Sequence, residues 1–384
     1  MMTAAAAAPG TFDPRETFAP LTLPDPVNAY RSADGSPGPG YWQNGVDSEI
    51  HATLDVGKRT LSADEIIRYT NNSPDVLPSL WLHLDQNIYR RDARAANSGG
   101  ERPAGFTDGY ILDSVDVNTE HGWRPARYVV SDTRMQLRLP EPLAANGGSL
   151  QVRIHYHYSL PGTFGGRTGW AETPAGDVYD VAQWFPRLAV FDDLHGWDTL
   201  PYLGSEFYLE YGNIDYYVTV PWNMLVAGSG ELVNPQDVLT RSQRERLERA
   251  RSSDETITIR GADEIDDPAS RPAHDGSLTW HYRMQNTRDV AFSASPAFVW
   301  DAARIRLPGD RTSLAMSFYL RQDTDEQAWT RSTEYLKHAV EQFSKRWSVY
   351  PYPAAVNVGG TVSGMEYPGI LFDGGIARDK VLFW

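Results

Sequence analysis

The 384-residue chain has no cysteine. Disulfides, thiolate metal sites and cysteine nucleophiles are thereby excluded, although the absence does not fix the compartment, cytoplasmic or periplasmic/secreted. No apolar run approaches the roughly 18 to 20 residues that span a bilayer, so no transmembrane segment is expected. Positive charge is in deficit: 35 Lys and Arg stand against 50 Asp and Glu, a formal net charge of −15. A phosphate backbone would be repelled, which sets nucleic acid aside as a partner. No Gly-x-Ser-x-Gly is present, which argues against an α/β-hydrolase.

What is present is ordinary in bulk, with 41% hydrophobic and 22% charged residues, as in globular proteins that fold in water. The length suits two domains. The 12 Trp and 20 Tyr favour large β surfaces or a substrate cleft. Residues 1–40 are rich in Ala, Pro and Gly, lack periodicity and are read as a disordered tail. The alanine run at 4–8 has neither basic flank nor leucine-rich core, and the other reading is the remnant of a leader.

From Tyr41 the texture becomes one of short alternating runs. Ile50, Ala52, Leu54 and Val56 alternate into a turn at Gly57-Lys58, and residues 61–69 return, as in a hairpin. The same period of two recurs in Leu80, Leu82 and Leu84, in residues 150–158, in residues 207–220 and in Leu278, Trp280, Tyr282 and Met284. Half-buried antiparallel strands are the expectation. Residues 243–251 (QRERLERAR) read as a solvated surface helix. After Asp301 the pattern changes: a strand at 313–320, then a helix. Its start is marked by a capping box at Thr324-x-x-Gln327, and its apolar stripe is Leu336, Val340, Phe343 and Trp347. Pro351 and Pro353 end it, and a strand at 356–362 follows. The resulting division is a β-rich domain over 41–305 and a second unit over 312–384.

The segment with chemical content is Ser363-Gly364-Met365-Glu366-Tyr367-Pro368. Glycine allows close approach of an extended ligand, because nothing projects from its Cα. A carboxylate just beyond it is placed to hold an ammonium by a charge-assisted hydrogen bond. By itself one Glu beside a Gly is most simply a surface residue.

This segment resembles the G-A-M-E-N exopeptidase motif of the aminopeptidase N family of zinc metallopeptidases, in a G-M-E-Y-P variant. Residues 69–74 (YTNNSP), 80–86 (LWLHLDQ), Gln183-Trp-Phe-Pro-Arg187, Gly196-Trp197 and 286–292 (NTRDVAF) are similar to that family's N-terminal β domain, so the resemblance covers about residues 41–384. It implies a saddle-like antiparallel β domain followed by the start of an α+β, thermolysin-like catalytic domain. By the same resemblance Glu366 binds the free α-amino group of a peptide substrate, Gly364 and Met365 pair with the substrate backbone as a strand does, and Gln183 lines the cleft near that amine. Zinc, held by H-E-x-x-H and a further Glu, is expected in the full-length protein.

Two departures stand out. Tyr367-Pro368 replaces the usual Asn, and no H-E-x-x-H occurs. His338-Ala-Val-Glu341 has neither the spacing nor the second His. The sequence ends inside an apolar run, residues 381–384 (VLFW), and the expectation is an N-terminal portion of a longer aminopeptidase-like enzyme, holding no metal and inactive alone. The alternative is a non-catalytic β-rich module that binds carbohydrate or peptide. Other candidates read as structural: His155 and His157 on one strand face lack a third ligand, and Asp192, Asp193 and His195 are treated the same way. The glycines of 163–169 lack the Lys-Ser/Thr ending of a phosphate loop.

Overall fold

The computed structural model describes residues 28–97, 105–162, 166–205, 207–272, 275–323 and 329–373. The chain divides into two compact units, Met1–Gln43 and Asn44–Trp384. In the first, the described residues form turns closed by an isolated bridge between Arg31 and Pro37.

In the second unit, strands β1 (Gly45–Asp55) and β2 (Thr60–Asn71) form the expected hairpin, antiparallel from Gly45 opposite Thr70 to Asp55 opposite Thr60. Ile50, Ala52, Leu54, Leu61, Ala63, Ile67 and Tyr69 are buried, the face that the period of two picks out. Next come β3 (Leu77–His83), β4 (Ile111–Thr119), β5 (Gly148–Ser159), β6 (Val178–Val181) and β7 (Gly212–Pro221). β8 (Ile257–Arg260), β9 (Ser277–Thr287) and β10 (Phe292–Ser295) complete the β-rich part. An eight-stranded sheet runs β9-β7-β1-β2-β5-β4, with a short strand added at each edge, and β6 and β10 belong to a four-stranded sheet beside it.

The strand expected over 207–220 begins only at Gly212. Its backbone passes so close to the carbonyl of Val46 that any Cβ would collide with it, and the register shifts between Gly212 and Ile214. Phe207 is thereby left outside the ladder. Helix α1 (Arg241–Ser252) carries a capping box between Thr240 and Gln243. The charged run is not wholly solvated, since Gln243, Leu247 and Ala250 are buried.

The last sheet is six-stranded. It comprises β8, β11 (Phe298–Leu307), β12 (Arg311–Leu320), β13 (Ala354–Val358), β14 (Ser363–Tyr367) and β15 (Ile370–Asp373), in the order β8-β11-β12-β13-β15-β14. β12 and β13 are parallel neighbours, joined through helix α2 (Ser332–Arg346). One face of this sheet, including Trp300, Met316, Val356 and Phe372, belongs to the same core as Ile50 and Leu82. On the other face Leu336 of α2 packs on Ile305, Ala315 and Ala355, with Val340 beside it. The expected stripe is only half used: Phe343 is 53% and Trp347 75% exposed, and their rings contact each other at 5.0 Å. In the last turn of α2 the buried residue is Ser344 instead. The capping box at 324–327 and the apolar run at 381–384 lie outside the described residues. Among those described, no helix is long and apolar enough to cross a membrane.

Candidate functional site

The G-M-E-Y-P segment forms most of β14 and enters the turn that leads to β15. Gly364 has φ +69° at a register shift between Ser363 and Met365, a bulge conformation that favours glycine. A Cβ there would meet nothing within 4 Å, so the backbone angle, not lack of space, requires glycine. Gly369, at φ +77°, turns the chain back so that Tyr367 pairs with Ile370 and Glu366 with Leu371.

Alternation along β14 separates its side chains. Met365 and Tyr367 face the main core, whereas Glu366 is exposed on the opposite face. Tyr367 lies parallel to Phe207, with centroids 5.8 Å apart and 13° between planes. The guanidinium of Arg187 sits 4.9 Å from the Phe207 centroid. Arg187 is buried and donates to Asp85 at 2.6 Å and to Asp289 at 2.5 Å. Burial works against its charge, but the two carboxylates outweigh it and raise its pKa. Burial pushes Asp289 up to about 6 despite Arg187. A continuous line of contacts therefore runs from a buried ion cluster, through two rings, to the motif strand.

The loop entering β14 is held by Asp180 of β6, a residue sequence reasoning did not single out. Its carboxylate accepts from Ser293 Oγ at 2.6 Å, Thr361 N at 2.5 Å, Val362 N at 2.9 Å and Thr361 Oγ1 at 3.0 Å. Burial raises its pKa even against these four donors. The two glycines before β14 are fixed by this approach: a Cβ on Gly360 would strike the Asp180 carboxylate, and one on Gly359 would come within 2.7 Å of the Trp329 ring. The signal in the sequence was an acidic residue within the apolar stretch 178–182 (VYDVA).

Gln183 is buried, with φ +50°. Its Oε1 accepts from Tyr202 Oη at 3.1 Å, its carbonyl accepts from Gln86 Nε2 at 2.9 Å, and its Nε2 is buried without a partner. Gly364, Met365 and Glu366 are brought together by the strand; no described contact joins Gln183 to Glu366.

Beside Glu366 on its face stand Leu371, its partner on β15, and Asp373. Asp373 of β15 is pushed up to about 6 by burial and by the charge of Glu366, while a hydrogen bond from Asn357 pulls the other way. Asn357 of β13 is buried.

The remaining candidates are engaged structurally. His155 faces Asp64 and His157 faces Asp113. Asp192 closes a turn by accepting from the backbone of Leu194 at 2.9 Å and His195 at 2.7 Å. On the outer face of the large sheet His51 stacks on Tyr217 at 4.2 Å and Tyr217 on His281 at 4.1 Å. These rings cover one another's faces and so offer little flat platform to a sugar. Among the described residues no group of three or more His, Cys, Asp or Glu is placed to hold a metal. His338 has no second His one helical turn away, and Glu341 accepts from Lys337 at 2.9 Å. The described residues thus do not fit a zinc centre.

No protein-family model matches the sequence, and no curated protein sequence matches it. Solved structures do resemble the fold. A two-domain M1 zinc metallopeptidase mutant bound to L-arginine superposes with a TM-score of 0.53 at 15% identity, over 91% of this chain and 64% of that one. An M1 zinc metallopeptidase from Deinococcus radiodurans gives 0.52 at 16% identity, over 90% and 64%. A mutant of the Deinococcus radiodurans enzyme bound to a Tyr-Ser-Ala substrate gives 0.51 at 16% identity, over 90% and 64%. At this identity the likeness is one of fold. The chain has the fold of M1 zinc metallopeptidases over most of its length, and it spans less than two thirds of the chains it resembles.

Proposed function

We propose that this chain is the N-terminal portion of a zinc-dependent, aminopeptidase-like metallopeptidase and that β14 is its substrate-recognition strand. In this reading residues 41–305 form the N-terminal β domain, and residues 312–384 begin a thermolysin-like catalytic domain. The carrying observation is the position of β14. It is the edge of the six-stranded sheet, with Ser363, Gly364 and Glu366 exposed. An edge strand offers unpaired backbone groups to an extended peptide, and an exposed carboxylate beside that edge suits the peptide's terminal ammonium. Gly364 and Met365 provide the backbone, Glu366 the charge. In the same reading Gln183 lines the cleft near that amine.

The general base and zinc ligands are assigned to a longer protein, because the sequence has no H-E-x-x-H and no fitting group is found among the described residues. Zinc polarises the scissile carbonyl when bound; the residues of this chain bind and orient the substrate. A peptide with a free N-terminus, titrated into the 384-residue chain, is expected to perturb the backbone amide signals of residues 363–367 while its N-acetylated form leaves them unmoved. Equal perturbation by both peptides, or perturbation confined to other strands, would refute the assignment of β14.

A further inference from the structure

The face of the six-stranded sheet that α2 covers carries a polar row. Asp301 of β11 pairs with Ser317 of β12, and Ser317 pairs with Asn357 of β13, so three polar side chains stand side by side on adjacent strands. Strands lie about 4.8 Å apart, which sets Ser317 at the middle of a row roughly 10 Å wide. A fourth group comes from the helix. Trp329, in the turn Trp329–Arg331 that leads into α2, stacks on Tyr319, and its ring lies against Gly359. Leu336 packs on Ala315 and Ala355. Tyr319 and Gly359 lie two residues beyond Ser317 and Asn357, and Ala315 and Ala355 two residues before them. Thr333, between Trp329 and Leu336 on the same side of the helix, therefore stands over Ser317 and Asn357.

Asp301, Ser317, Thr333 and Asn357 are each at most 5% exposed. The Oδ1 of Asp301, the Oγ of Ser317, the Oγ1 of Thr333 and the Oδ1 of Asn357 are all buried with no hydrogen-bond partner. One such oxygen is unfavourable; four gathered in one place call for a shared partner. Asp301 also brings a charge. Its other oxygen accepts from Tyr319 Oη at 2.6 Å, and Thr258 of β8 hydrogen-bonds to it as well. Both groups are neutral, and no cationic side chain among the described residues pairs with it. A buried carboxylate with no opposite charge beside it is costly.

We propose that this row binds one monovalent cation, such as sodium, enclosed between the sheet and α2. The donor set decides the class. All four ligands are hard oxygens and a single one is a carboxylate. Calcium takes about six to eight oxygens and magnesium keeps several waters in near-octahedral geometry; zinc and copper favour nitrogen and sulfur ligands, which are absent from the row. A water molecule would satisfy the oxygens but leave the charge of Asp301 uncompensated. The ion is sealed in as the chain folds, so the burial of its ligands is no barrier to it. It ties α2 to the sheet whose edge is β14, independently of what Glu366 binds.

The test is thermal unfolding of the 384-residue chain in sodium chloride and in choline chloride at equal ionic strength, choline being too large to enter. Wild type is expected to melt about 2 to 4 °C higher in sodium, with an effect that saturates as sodium replaces choline. Asp301→Asn removes the charge and keeps the shape, and the sodium effect is expected to vanish. Thr333→Val removes one ligand oxygen, and half-saturation is expected to need more sodium. Equal melting temperatures of wild type in the two salts would overturn the proposal in favour of a protonated Asp301 bridged by water. A sodium effect of unchanged size in Asp301→Asn would overturn it as a general salt effect. Should Asp301→Asn not fold, half-saturation of Thr333→Val at the wild-type sodium concentration overturns it.

Discussion

Tyr367 lies flat against Phe207, with centroids 5.8 Å apart, and this pair ties the motif strand to a loop about 160 residues earlier in the chain. Arg187 covers the Phe207 ring near the Tyr367 stack. Removing the ring leaves Tyr367 and a buried guanidinium facing a void. Phe207→Ala is expected to lower stability by about 2 to 4 kcal/mol, at the low end of large-to-small aromatic changes because Phe207 is only half-buried. Urea denaturation reads this directly, and an unchanged midpoint would show that the stack does not hold the strand.

The glycines preceding and within the motif separate steric from conformational demands. Gly364→Ala keeps open space around its Cβ but is strained at φ +69°, and should cost about 1 to 2 kcal/mol. Gly360→Ala forces a methyl onto the Asp180 carboxylate, displacing an acceptor that serves Thr361 and Val362, and should cost more. Thermal melts of the two variants check the order, and Gly364→Ala being the more damaging would contradict it.

On α2, Leu336→Ala should destabilise by about 2 to 4 kcal/mol, as buried leucines do. Trp347→Lys should change stability within about 0.5 kcal/mol while reducing self-association, since Trp347 and Phe343 form an exposed apolar pair. Denaturation and light scattering measure the two effects. A large loss of stability on Trp347→Lys would mean that the ring is covered.

Asp373 gives a pH signature with a defined sign. Its pKa rises from 3.8 to about 6 on folding, chiefly through burial. A raised acid favours the folded state in its protonated form, so its contribution is complete below about pH 4 and is lost as pH rises through 6. Asp373→Asn removes that loss. Wild type should therefore lose stability relative to Asp373→Asn between pH 4 and pH 6, as followed by melting temperature; parallel curves would show that Asp373 titrates normally.

The β character was legible because the strands of the large sheet keep strict alternation. β1 and β2 need only their apolar positions and the turn at residues 57–59 to specify register. The strand expected over 356–362 is shorter, β13 at Ala354–Val358, and the motif forms a separate strand after it. Less visible was what holds that strand. Asp180, Asp289 and Glu65 occupy inward-facing positions, and an inward acid means nothing until its donors arrive from distant segments: Thr361 for Asp180, Arg187 for Asp289, Ser48 for Glu65. The stripe of α2 was legible from periodicity, which does not say which of its residues are covered: Leu336 is buried, whereas Phe343 and Trp347 are exposed. Asp373 was missed for a related reason, since its place beside Glu366 comes from sheet order and not from spacing along the chain.

The account turns on the charge of Glu366, and steady-state kinetics of the longer enzyme that the proposed function calls for test it most directly. Glu366→Gln keeps the shape and removes the charge. The predicted result is a fall in kcat/KM of about tenfold to somewhat over a hundredfold on a free-amine substrate, corresponding to 1.5 to 3 kcal/mol, with bound zinc unchanged and the slow cleavage of the N-acetylated substrate unaffected. Equal kcat/KM for Glu366→Gln and wild type on the free-amine substrate would contradict it.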